Sequence, residues 1–255
     1  MISTGYPLPF RFVYTAGVFA SDRQSYLHIR YASPRGAADL TAAVEAFATL
    51  AASGALCGAG VDPAHSTLRL RQQTPPAGNE LLWTVERALL CEEALVVLAH
   101  LLLATVERSD IELVEVLTHA TELAPQTLAC SAQFNSTYPP VHGSPAFDID
   151  DDGLEADAYS FDIELAQPLE ARGEAWLNAM LAAWARVVEL GGYASAPVPP
   201  AQSYLESDET ITAYDRSIEW ALFKLRADEA CIDSILNGLM AFDRRCQRIA
   251  RVSVV

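Results

Sequence analysis

Positive charge is scarce in this 255-residue chain: 17 Lys and Arg stand against 33 Asp and Glu, for a net charge of −16. Such a field repels phosphate backbones and anionic lipid, so it disfavours nucleic-acid and membrane binding and favours a cationic partner. The imbalance is uneven. Lys and Arg number 8 in residues 1–127 and 9 in residues 128–255, while Asp and Glu rise from 13 to 20.

Cysteine is sparse, odd in number and widely spaced (57, 91, 130, 231 and 246), with no C-x-x-C pair to suggest a zinc knuckle or redox centre. Five histidines (28, 65, 100, 119 and 142) include no H-x-x-x-H or H-x-H pair, so a zinc site would need ligands from distant segments. No G-x-S-x-G elbow, P-loop or G-x-G-x-x-G occurs; "GALCGAG" lacks both the P-loop Lys and the dinucleotide spacing. A thiolate at Cys91 would need a neighbouring base or cation, and Glu92 and Glu93 beside it would instead raise its pKa. The sequence therefore predicts no cofactor, no metal and no turnover of its own.

Long apolar runs are also missing. The most apolar one, "ALVVLAHLLLATV", is about thirteen residues, short of the roughly 20 that a bilayer span needs, and it is expected to be a core helix. "MISTGYPLPF" has neither a basic n-region nor an apolar h-region, so a cytoplasmic location is expected.

What is present is hydrophobic content of 51%, enough for a substantial core, arranged in strand-like and helix-period segments that alternate. Residues 26–117 predict β-α-β-β-α-β. "YLHIRYA" alternates as a strand; Ser33 is placed to cap and Pro34 to open a helix whose buried face is Leu40, Val44, Phe47 and Ala51. "TLRLRQQ" and "LLWTVER" form a hairpin around "TPPAGN", and a helix beginning near Cys91 leads into "DIELVEVL". "FRFVYTAGVF" adds an N-terminal strand. Residues 159–255 repeat the order, with "YSFDIELA", a helix striped by Trp176, Leu177, Met180, Trp184, Val187 and Val188, "SIEWALFKL", a second helix striped by Ile232, Ile235, Leu236 and Leu239, and "IARVSVV".

Corresponding strands lie about 133 to 139 positions apart, which makes a duplication of two ferredoxin-like halves the economical account. The expected fold class is α+β, mostly antiparallel with helices on one face: an N-terminal half over 1–125, a Pro- and Asp-rich connection over 126–158 and a C-terminal half over 159–255. The two sheets either stay apart or join edges into one continuous sheet. A second connection, "SAPVPPAQSYLESDET", lies inside the C-terminal half.

The densest feature is "DIDDDGLEAD" at residues 148–157, six carboxylates in ten positions. Asp148, Asp150, Asp152 and Gly153 match the opening of a calcium loop, D-x-D-x-D-G. The match stops there, because Tyr159 stands where a bidentate Glu is required and Pro145 opposes an entering helix. The remaining readings are a solvated connection or a contact surface for a cationic partner. The candidate contact residues are Asp148, Asp150, Asp151, Asp152 and Asp157, joined by the second cluster Glu206, Asp208 and Glu209. Arg244, Arg245, Arg248 and Arg251 form the one basic cluster, placed to complement a helix C-terminus or to bridge to the acidic segments. "NSTY" fits the glycosylation pattern at Asn135, a chance match in a chain without a signal sequence.

With "YASPRGAADLTAAVEAF" after the first strand and "WLNAMLAAWARVV" in the second half, the chain resembles the immunity proteins that neutralise bacterial polymorphic toxins, including those paired with nuclease toxins. The resemblance covers two short segments and carries over no individual residue. It implies one-to-one inhibition by surface complementarity, in which acidic segments mimic the substrate charge of a basic toxin and raise the association rate. The rivals are a small-molecule enzyme with a cleft between the halves and a self-associating structural protein; the fold alone decides between none of these.

Overall fold

The computed structural model describes residues 2–19, 24–75, 78–106, 110–119, 123–130, 136–151, 158–194, 204–207, 212–223 and 225–254. Its architecture is α+β. In the N-terminal half the elements are β1 (Ser3–Thr4), β2 (Arg11–Tyr14), β3 (Ser25–Tyr31), α1 (Ala37–Ala52), β4 (Thr67–Gln73), β5 (Glu80–Leu89), α2 (Ala94–Leu103) and β6 (Ile111–Thr118). Short strands β7 (Gln126–Thr127) and β8 (Ala129–Cys130) follow, then β9 (Asp148–Asp151). The C-terminal half continues with β10 (Ala158–Leu165), α3 (Ala171–Glu189), β11 (Glu206–Ser207), β12 (Thr212–Ala213), β13 (Ser217–Phe223), α4 (Ala230–Arg245) and β14 (Ile249–Val254).

Two six-stranded sheets form, in the orders β4-β5-β3-β6-β2-β7 and β11-β13-β10-β14-β9, with β12 beside β13. They do not join edges among the described residues. The four strands of each β-α-β-β-α-β unit lie in the same spatial order, second-third-first-fourth, and pair antiparallel. The likeness extends one strand further: β2 runs parallel to β6, and β9 runs parallel to β14.

That parallel strand is where sequence and structure part. Residues 148–151, read from sequence as part of a solvated connection or as a contact surface for a cationic partner, form an extended edge strand in register with Arg251–Val254. Four residues with three carboxylates carry no strand propensity of their own, so their extended form comes from the ladder that β14 offers. Within the same expected connection, β7 pairs with β2 and β8 pairs with β1.

Alternation sets one face of each sheet inward. Leu27, Ile29 and Tyr31 on β3 and Phe161, Ile163 and Leu165 on β10 are buried, while their neighbours along each strand are more exposed. The helices cover these inner faces, and α1 packs on α2, α3 on α4, and α1 on α3. The result is a middle double layer of helices between two sheets, with one contiguous core running through both halves. α2, apolar all round its circumference, is buried on nearly every residue, as a helix enclosed on all sides must be.

Local signals explain the helix ends. Ser33 makes no side-chain cap; the chain turns first through a 3-10 segment at Pro34–Gly36, and α1 begins after it. α1 stops at Gly54, whose φ is +94, and a Cβ there would lie 2.6 Å from the Ala241 side chain and 2.7 Å from the Pro63 carbonyl. Only glycine allows both the left-handed turn and this approach of α4. The basic cluster holds the same joint: Arg244 meets Asp62 at 2.6 Å, and Arg245 donates to the carbonyls of Ala52, Ala64 and Ser66. Arg248 pairs with the buried Asp243 at 2.7 Å.

Candidate functional site

The outer face of the C-terminal sheet follows from the same period-two alternation that fills the core. Inward Phe161 and Ile163 leave Ser160, Asp162 and Glu164 pointing out from β10; inward Ile218, Trp220 and Leu222 leave Glu219 out on β13. On β14, Val252 and Val254 face the core and Arg251 and Ser253 face out. Register then brings Asp162 directly opposite Glu219 on one side and Ser253 on the other. Parallel pairing puts Asp148 beside Arg251 and Asp150 beside Ser253, on the same face.

The face therefore carries Glu219, Asp162, Glu164, Asp148 and Asp150 with Arg251 as its described cation, and Arg251 is ion-paired to Asp150. Like charges directly opposite one another in a sheet are destabilising. The Asp162/Glu219 pair is such a case, and one Asp162 carboxylate oxygen, Oδ1, is buried without a hydrogen-bond partner. Next to the acids, Ile149 is 39% exposed at the sheet edge. Chemically the arrangement is rich in acceptors, its donors among the described residues being Arg251, the serine hydroxyls and Thr212 opposite Glu219; it suits cations and amide or guanidinium donors.

Of the residues expected from sequence to contact a partner, Asp148 and Asp150 lie on this face. Asp151 ends β9 opposite Val254, and Glu206 sits in β11 opposite Phe223. Asp152, Asp157, Asp208 and Glu209 lie outside the described residues. Sequence reasoning missed Asp162, Glu164 and Glu219. Their signal was available in the alternation of "YSFDIELA" and "SIEW", but it had been read only for its apolar half.

Other chemically capable groups do not converge. Among the described residues no three His, Cys, Asp or Glu side chains gather to hold a metal ion. Cys57, Cys91 and Cys231 are buried free thiols. Burial pushes Cys57 up to about 12, and burial followed by the Glu93 carboxylate holds Cys91 well above the usual thiol range. Such thiols are inert at neutral pH.

No family model matches the sequence, and no curated protein matches it. Among solved structures, the periplasmic protease PqqL from Escherichia coli is similar at 11% identity and a TM-score of 0.19, over 96% of this chain and 37% of that one. The chain thus spans little more than a third of PqqL, and a likeness this slight carries no argument about fold or activity. No helix is long and apolar enough to cross a membrane among the described residues.

Proposed function

We propose that this chain is a non-catalytic binding protein that engages a cationic protein partner through the acidic outer face of its C-terminal sheet, in the manner of an immunity protein neutralising a basic bacterial toxin. The supporting observation is the like-charge pair Asp162 and Glu219, set directly opposite by the β10–β13 register and without an ion-paired cation among the described residues. A sheet keeps such a pair at a cost in stability, and a basic partner would offset it. Asp148 and Asp150 extend the same field to the sheet edge. Rim carboxylates of this kind steer encounter more than they hold the complex. The buried free thiols suit a reducing compartment, which supports action in the cytoplasm.

The test starts from the gene immediately upstream: where it encodes a toxin domain, association of its product with this chain is followed by stopped flow at low and high salt, and a neighbourhood of metabolic genes alone would count against the reading. Replacing Asp148, Asp150, Asp162 and Glu219 by their amides is expected to slow association several-fold and flatten its salt dependence, with dissociation less affected. A salt-independent rate with unchanged affinity would overturn the assignment of this face. Failure of the co-expressed chain to protect cells from that gene product would overturn the immunity reading itself.

A further inference from the structure

Besides the Arg244 and Arg245 contacts, a buried polar chain crosses the seam between the two halves beside α2. His100, from the middle of α2, is 1% exposed and stacks on Tyr6 with ring centroids 4.8 Å apart. Its Nδ1 lies 3.0 Å from the hydroxyl of Tyr138, and that hydroxyl lies 2.9 Å from the carbonyl of Ala194, just beyond α3. Tyr138 thus links the N-terminal half's most buried helix to the segment that leaves the C-terminal half's first helix.

The proton inventory of this chain is tight. A carbonyl only accepts, so the tautomer that satisfies both contacts at once has the Tyr138 proton on Ala194 and the His100 Nδ1–H donating to the Tyr138 oxygen. In the neutral ring Nε2 is then a bare lone pair, and it is buried with no hydrogen-bond partner. The Gly192 backbone favours a proton on the ring but does not reach hydrogen-bond geometry at Nε2. The groups facing the site from other elements are Tyr6, Tyr138 and Tyr193, with Asp228 acting on Tyr138 rather than on the ring. Among the described residues no carboxylate pairs with the His100 ring to neutralise an imidazolium. Burial keeps the Tyr138 phenol protonated, so it cannot serve as a counter-charge.

We propose that the His100–Tyr138–Ala194 chain is an acid-sensitive latch between the two halves: a second proton on His100 opens this junction locally, exposing residues 136–142 and 190–194 while both sheets persist. Burial, opposed by the Gly192 backbone, lowers the His100 pKa from 6.5 to about 4 in the closed state. The open state therefore binds more protons between these values, and closure is favoured fully above pH 6.5 and lost progressively as pH falls toward 4. The opening constant rises close to tenfold per pH unit, on the order of a few hundred-fold in all.

Amide hydrogen exchange on the full chain from pH 7.5 to 4.5, corrected for intrinsic rates, tests this. Peptides covering 136–142 and 190–194 should lose protection nearly tenfold per pH unit below 6.5, while 111–118 and 158–165 hold theirs; His100→Phe should abolish the pH dependence. The latch is overturned if those peptides ignore pH in the wild type, if the fall persists in His100→Phe, or if the strands open together with them. Imidazole C2-proton exchange on the unaltered chain keeps the test decisive should the variant not fold. A His100 midpoint below 5 supports the latch, and one near 6.5 overturns it.

Discussion

The two sheets share a strand order and differ in how their outer faces handle charge. On the N-terminal sheet several charges meet an opposite partner: His28 sits between Glu115 at 2.9 Å and Glu80 at 3.6 Å, Arg30 meets Glu112 at 3.0 Å, and Arg71 lies 3.8 Å from Glu86, while Arg69 stands opposite Arg87. On the C-terminal sheet Asp162 faces Glu219 without an ion-paired cation among the described residues, and the arginine of its strands, Arg251, is taken by Asp150. The same connectivity thus supports one outer face of mixed charge, with most of its carboxylates beside a cation or imidazole, and another dominated by carboxylates. The inner faces, by contrast, are alike: both are apolar, alternating and covered by helices. Packing constrains the inside of a β-α-β-β-α-β unit, while its outer face is free to differ in charge.

The largest expected effects lie where the halves agree. Phe47→Ala in α1 and Trp184→Ala in α3 each remove a wholly buried aromatic, and each should cost about 3–5 kcal/mol in urea denaturation. Trp184 also loses its indole hydrogen bond to the Cys231 carbonyl at 2.8 Å. A small cost for either one would break the claim that both sheets rest on equivalent cores.

Next comes the joint between them. Arg245→Ala strips a donor from three N-terminal carbonyls, and since the site is only partly buried, a loss of about 1–3 kcal/mol is expected. Arg244→Ala removes one exposed pair with Asp62 and should cost ~0.5 kcal/mol. Equal losses would show that the carbonyl cradle is no more than another surface contact.

The outer faces should respond with opposite signs. Glu219→Thr removes a like-charge neighbour of Asp162 and should stabilise the protein by about 0.2–1 kcal/mol while weakening partner association. Glu115→Gln on the other sheet weakens the pairing around His28 and should destabilise by up to ~1 kcal/mol. Matching signs in thermal melts would erase the distinction between the faces.

The smallest effect is that of calcium. Asp148 and Asp150 are spread along an edge strand, one of them already paired to Arg251, rather than wrapped around an ion. Physiological calcium should leave the melting temperature unchanged; a clear rise abolished by Asp150→Ala would contradict the strand as the resting arrangement.

Much of this architecture is legible from hydrophobic period alone. The alternation of "YLHIRYA", "DIELVEVL" and "YSFDIELA" locates strands within a residue or two, because burying one face of a strand forces a period of two. The stripe from Leu177 to Val188 locates α3 for the same reason at period 3.6. The outward residues were implied too, Asp162, Glu164 and Glu219 among them, although a solvated carboxylate in an alternating strand looks the same whether or not it will meet a partner.

What only the tertiary structure decided is pairing. The chain's own residues gave "DIDD" no reason to be a strand; β14 did, by presenting an open edge of N–H and C=O groups and Arg251. Nor does local sequence say that Asp162 lies opposite Glu219, 57 positions away in the chain, or that Tyr138 bridges His100 to Ala194. Periodicity is a local consequence of burial and survives in a single sequence. Register, edges and cross-seam hydrogen bonds depend on which distant segment arrives, and that is settled only when the whole core closes.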